Sequence, residues 1–79
     1  MRVLNEYLPK GLFQYFLSLN AMPGLEGYVN HKDTSIEFYD MKMNLIDALD
    51  KEKIDTVDRN ANDVIEIKST DETVYSIEP

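Results

Sequence analysis

The segment Pro9-Lys10-Gly11-Leu12-Phe13-Gln14-Tyr15-Phe16-Leu17-Ser18-Leu19-Asn20 decides how the chain is read. Leu12, Phe13, Phe16, Leu17 and Leu19 recur in it at three- and four-residue spacing, which predicts an amphipathic helix from Pro9 to Asn20. Pro9 suits a first helical turn, where a missing N–H costs nothing, and Gly11 weakens that turn slightly. Met22-Pro23-Gly24 ends it, since Pro and Gly punctuate. A second helix is predicted from Met41 to Asp50. Met41, Leu45 and Leu49 share its stripe beside Ile46, and Asp40 is its N-cap, a carboxylate that accepts from orphan N–H groups. Asp47 and Asp50 then stand at a helix C-terminus, where negative charge opposes the dipole.

Working outward, Met1 to Leu8 reads as a short strand centred on Val3 and Leu4. Leu25 to Asn30 and Thr34 to Tyr39 read as two strands joined by the turn Asn30-His31-Lys32-Asp33. Leu25, Val29, Ile36 and Phe38 face inward on them, and Tyr28 and Tyr39 face the opposite, more exposed side. Lys51 to Asn62 is a short strand plus loop anchored by Ile54 and Val57. Asp63 to Lys68 alternates with Ile65 and Ile67 inward, Ser69 to Glu72 is a turn, and Thr73 to Glu78 is a last strand with Tyr75 and Ile77 inward. The order β-α-β-β-α-β-β predicts an α+β two-layer sandwich, with the helices on one face of a mainly antiparallel sheet. No repeat, low-complexity tract or linker divides residues 1–79, so one small domain is expected.

This order resembles the HPr-like phosphocarrier fold of the sugar phosphotransferase system. The resemblance runs from Pro9 to Thr70, through Leu12-Phe13, Ile36, Phe38 and Val64-Ile65-Glu66-Ile67. The family's phosphoaccepting His, three residues before a Pro, corresponds to Glu6 ahead of Pro9. The Arg preceding that Pro is Leu8, and the regulatory Ser that caps the second helix is Asp40. Both phosphorylation sites are therefore absent, and the resemblance implies a fold without phosphotransfer.

The chain has 79 residues, 15 acidic and 8 basic, no Cys, no Trp and one His, for a net charge of −7. Without Cys there is no thiol nucleophile, CxxC redox pair or iron–sulfur ligation, and one His argues against a structural zinc site. No apolar run approaches the length of a membrane span, and no charged n-region precedes an apolar h-region as in a signal peptide. A cytoplasmic protein is expected. His31 falls in a turn and is expected to be solvated, and Ser18 and Ser35 have no neighbouring base. Asp55, Asp58, Asn60, Asn62 and Asp63 lack the spacing and the Gly of a calcium loop. No Gly-rich phosphate loop is present. A protein that is not an enzyme, with no cofactor and no metal, is expected. The methionines Met22, Met41 and Met43 and the aromatics Phe13, Tyr15, Phe16 and Phe38 are expected in the core. Tyr7, Tyr28 and Tyr39 are the aromatics expected to be exposed.

Residues 1–30 are neutral overall, so the whole excess of acid lies in residues 31–79. Such a surface argues against direct binding of nucleic acid or anionic lipid and fits a basic partner. Same-face strand residues lie roughly 6.6 Å apart and helix residues three or four apart about 5–6 Å, a regular spacing like that of a phosphate backbone. The candidate partner-binding residues are Asp47, Asp50, Glu52, Asp55, Asp58, Asp63, Glu66, Asp71 and Glu72. In size, lack of Cys and charge segregation the chain resembles the small acidic DNA-mimic inhibitors made by bacteriophages. That resemblance implies a protein that occupies the DNA-binding surface of a basic host protein, such as an HU-type nucleoid protein, whose arms grip DNA by shape. The alternative is an HPr-like regulatory domain that binds a partner through Leu12, Phe16, Met41, Leu45 and Ile46. A C-terminal strand exposed as a sheet edge leaves a homodimer open.

Overall fold

The computed structural model describes residues 2–20 and 24–79, apart from the Arg2 side chain. Its elements are a helix α1 (Arg2–Tyr7) and seven strands: β1 (Gly11–Leu19), β2 (Leu25–His31), β3 (Ser35–Asp40), β4 (Leu45–Asp50), β5 (Ile54–Arg59), β6 (Ile65–Ser69) and β7 (Val74–Glu78). A single 3-10 turn, Lys51–Lys53, joins β4 to β5. All strands form one curled sheet in the order β4-β3-β2-β1-β7-β6-β5, and every neighbouring pair is antiparallel. This is an up-and-down meander closed by β7 on β1 and left open between β4 and β5. Six antiparallel steps separate those two edges, so they run in the same direction and cannot continue the antiparallel ladder across the seam. The turn laces the seam at one point: Lys51 N–H donates to the Thr34 carbonyl at 3.0 Å, and Thr70 N–H donates to the Lys53 carbonyl at 2.8 Å.

The concave side holds the core. Leu17, Val29, Ile36, Phe38, Leu49, Ile54, Ile65, Ile67, Tyr75 and Ile77 are buried there, and Phe38 stacks on Tyr75 with ring centres 4.8 Å apart. Tyr75 donates its hydroxyl to Asp47 at 2.9 Å, which ties β7 to β4 across the curl. A six-residue helix has too few hydrogen bonds to persist alone. Burial of Leu4 at its centre and Leu8 just beyond holds α1 on this core. Gly27, inward on β2 opposite Asp40, allows β3 to come close: a Cβ there would collide with the Tyr39 carbonyl oxygen.

The α+β sandwich is overturned, and with it the HPr-like order, because the sheet has seven strands and no helix covers it as a layer. The segment from Pro9 to Asn20 is strand β1. Phe13, Tyr15, Leu17 and Leu19 lie on its concave side, while Leu12, Gln14, Phe16 and Ser18 lie on the convex side. Leu12 and Phe16 are apolar residues facing out, and they complete a helical spacing that the backbone does not use. The predicted helix from Met41 to Asp50 is a turn followed by β4. Asp40 caps the turn, its carboxylate accepting from the Lys42 and Asn44 N–H groups at 2.9 Å each. Asp47 consequently lies within a strand, and Asp50 caps the N-terminus of the 3-10 turn, where its charge is favourable rather than opposed. The predicted first strand is α1, whose Leu4 and Leu8 meet the core at helical spacing. The C-terminal strand is not an edge, since β7 lies between β1 and β6. Phe16, Met41 and Met43 are exposed rather than core, and Met22 and Pro23 lie outside the described residues. Among the described residues no helix is long and apolar enough to cross a membrane.

Candidate interaction surface

Strand alternation sends one set of side chains to the convex face. The register aligns them in rows. One row runs Gln14, Tyr28, Tyr39 and Leu45 across β1 to β4. A second runs Leu12, Asn30, Glu37 and Ala48, and a third places Phe16 between Glu26 and Glu78. On the far side of β7, Ser76 stands opposite Glu66, and Glu66 stands opposite Asp58. The convex face therefore carries an apolar area on β1 to β4 and a carboxylate pair on β5 and β6. Leu12, Phe16, Met41, Leu45 and Ile46 are all exposed, Leu45 at 57% and Leu12 at 52%.

The nine candidate acids divide into three groups. Asp58 and Glu66 are a directly opposed pair on the convex face, with Asp55 exposed on the same edge strand and Glu52 in the turn that leads into it. Lys68 stands opposite Thr56 on the same face and makes no ion pair among the described residues. Asp63 and Glu72 lie in the turns at either end of β6 with positive φ, and Asp63 is 4.0 Å from Arg59. Asp47, Asp50 and Asp71 line a cleft of about 420 Å³ at the seam, with Lys53, Ser69, Thr73 and Tyr75. These three are held internally. Asp47 accepts from Tyr75 and from the Ala48 N–H, Asp50 accepts from the Glu52 N–H, and Asp71 accepts from the Ser69 hydroxyl and the Thr73 N–H. The bonds from Ser69 and Thr73 hold the Asp71 carboxyl below its usual range. Burial, and then the Asp47 carboxylate, push the Tyr75 hydroxyl far above its ordinary value.

Positive charge gathers at the opposite end of β2. Lys10 donates to Asp33 at 2.9 Å, a bond that raises the lysine's pKa and lowers that of the aspartate. Lys51 stands beside Lys10, and burial lowers its pKa. His31, expected in a solvated turn, is instead the last residue of β2 and 2% exposed. Its Nδ1 lies 2.9 Å from the Leu8 carbonyl and 3.2 Å from the Pro9 carbonyl. Carbonyls only accept, so these contacts assign the proton to Nδ1 and leave Nε2 as a buried acceptor without a partner. Burial lowers the imidazole pKa, and Lys51 adds to the effect. The histidine thus straps the end of α1 to the sheet as a neutral ring.

Glu26, Glu37 and Glu78 are convex-face acids absent from the nine. Their positions follow from alternation with Val29, Phe38 and Ile77, but their closeness to Phe16 and Leu12 needs β1 as a strand. No known family model matches the chain, and no curated protein or solved structure matches it. Among the described residues no group of three or more His, Asp or Glu side chains is placed to hold a metal ion.

Proposed function

We propose that the chain is a non-enzymatic cytoplasmic binding protein that presents carboxylates in place of DNA phosphates to a basic DNA-binding protein. The supporting observation is the Asp58–Glu66 pair, two carboxylates directly opposite each other on an exposed edge hairpin. Like charges set directly across a strand pair destabilise a sheet. A local cost of this kind is expected where a surface serves a partner rather than the fold. A cationic surface laid on this hairpin converts the repulsion into attraction. Directly opposed residues have Cβ atoms about 5 Å apart, so this pair offers two closely set negative charges, comparable to neighbouring phosphates. In the seam cleft, Tyr75 and Asp71 are engaged in internal hydrogen bonds, which fits a structural role for these groups.

Calorimetric titration against a purified HU-type nucleoid protein tests this, at two salt concentrations and with or without duplex DNA. Binding should weaken at least tenfold with the salt increase and vanish when duplex saturates the nucleoid protein. Binding that persists beside bound duplex, or that ignores salt, overturns the mimicry.

A further inference from the structure

The convex face of β1 to β4 carries an apolar centre that charge mimicry alone does not require. The row Gln14, Tyr28, Tyr39 and Leu45, with Leu12 on one side and Phe16 on the other, spans four strands and three same-face positions. At strand spacings of about 4.8 Å and same-face steps of about 6.8 Å, the row and the Leu12–Phe16 column each span roughly 14 Å, at most about 200 Å². Met41 lies against this face, with its sulfur 3.9 Å from the Gln14 amide nitrogen. A stable interface takes about 800 Å² from each partner. The apolar centre is therefore only the core of one, and an occupant must extend onto what surrounds it. On the Phe16 side that surround is acidic, while on the Leu12 side Lys32 pairs with Glu37 at 3.6 Å. Glu26 and Glu78 flank Phe16 across β2 and β7, and Glu37 lies two residues before Tyr39 on β3 and accepts from its hydroxyl at 2.8 Å.

Beside Phe16 the surface is concave. Gln14, Phe16, Glu26 and Pro79 line a hollow of about 320 Å³. A lysine or arginine stem can lie along an aromatic ring while its charged head reaches a carboxylate. Phe16, exposed at 40% between two glutamates, offers that arrangement. A second copy of the chain is disfavoured as occupant, because each copy carries −7 and would set acid against acid around the rim.

We propose that this face docks a protein surface with an apolar centre and a basic rim, one of whose cationic side chains sits over Phe16 between Glu26 and Glu78. The proposal rests on the basic-partner reading above and adds a second contact area to it. It makes the complex partly resistant to salt, because apolar contact is not screened.

The test is an NMR titration of isotope-labelled protein with two probes of equal charge, oligolysine and an amphipathic lysine–leucine peptide. The amphipathic peptide should bind at least tenfold more tightly and shift the amides of Leu12, Phe16, Tyr28, Tyr39 and Leu45. The double variant Leu12→Thr/Leu45→Thr, at two exposed strand positions, should remove that advantage and leave oligolysine binding unchanged. Equal affinities with shifts confined to Asp55, Asp58 and Glu66 overturn the docking face and leave the basic-partner reading standing. No binding of either probe overturns both. Shifts on this face that grow with protein concentration before any probe is added overturn the proposal in favour of a second copy.

Discussion

Reversing one member of the opposed carboxylate pair should stabilise the fold and weaken the complex. Asp58 and Glu66 are exposed and directly paired across β5 and β6. At about 5 Å in a solvent-like dielectric, two unit charges interact by about 0.8 kcal/mol, and physiological salt reduces this to about 0.4 kcal/mol. Asp58→Lys removes that repulsion and installs an attraction of similar size, a gain of about 0.8 kcal/mol. For a domain of this length, that raises Tm by about 3–6 °C. The gain should shrink to roughly half in 0.5 M salt, since screening acts on both terms. The same substitution places a cation against a cationic partner and should weaken binding about tenfold, or 1.4 kcal/mol. Thermal unfolding at low and high salt, paired with titration of the basic protein, reads both effects. A lower Tm in Asp58→Lys, or full affinity in a folded variant, would refute the reasoning.

Three further outcomes follow from the core and the strap. Leu8→Ala empties a fully buried site under α1 and should cost about 3 kcal/mol in chemical denaturation, with loss of the helical signal before the sheet unfolds. Tyr75→Phe leaves the half-buried Asp47 carboxylate without its hydroxyl donor and should cost about 1–2 kcal/mol in chemical denaturation. His31 has a folded pKa below its ordinary 6.5, so the unfolded chain binds its proton first. Its contribution is complete above about pH 6.5 and is lost as pH falls towards the folded value. Stability measured from pH 7 to pH 5 should therefore fall in the wild type, and the slope should flatten in His31→Asn.

The strands that were legible in the sequence are those with one apolar and one polar face. Val29 in β2, Ile36 and Phe38 in β3, Ile65 and Ile67 in β6 and Tyr75 and Ile77 in β7 alternate with polar or half-exposed neighbours, and period two is plain. β1 and β4 fail this pattern for one physical reason. Leu12 and Phe16 on β1 and Leu45 on β4 face outward, so apolar residues occupy both sides and the spacing imitates a helical stripe. A bulge between Phe38 and Tyr39 further breaks the alternation of β4 against β3. The elements misread as helices are thus the ones that carry the exposed apolar face. α1 was illegible for the opposite reason: at six residues it is too short for periodicity, and only the pair Leu4 and Leu8 signals it.

Of the candidate site, the Asp58–Glu66 pair was legible as charge but not as geometry, because opposition across a hairpin depends on register. Asp58 meets Glu66 because the turn closed by the Asn60 N–H on the Val64 carbonyl sets Arg59 opposite Ile65, one step before the pair. Asp47 looked like a surface charge at a helix end. As a concave-side residue of β4 it is turned towards Tyr75 instead. His31 looked like a turn residue because Lys32 and Asp33 follow it, yet pairing with Gly11 extends β2 through it.

The most direct measurement is capture from a nuclease-treated bacterial lysate on immobilised chain, eluted first with salt and then, in a parallel column, with duplex DNA. DNA mimicry predicts a DNA-binding protein that duplex displaces, that identification by mass spectrometry names, and that a column carrying Asp58→Lys/Glu66→Lys fails to retain. Retained proteins that ignore both duplex and the charge reversal would contradict it.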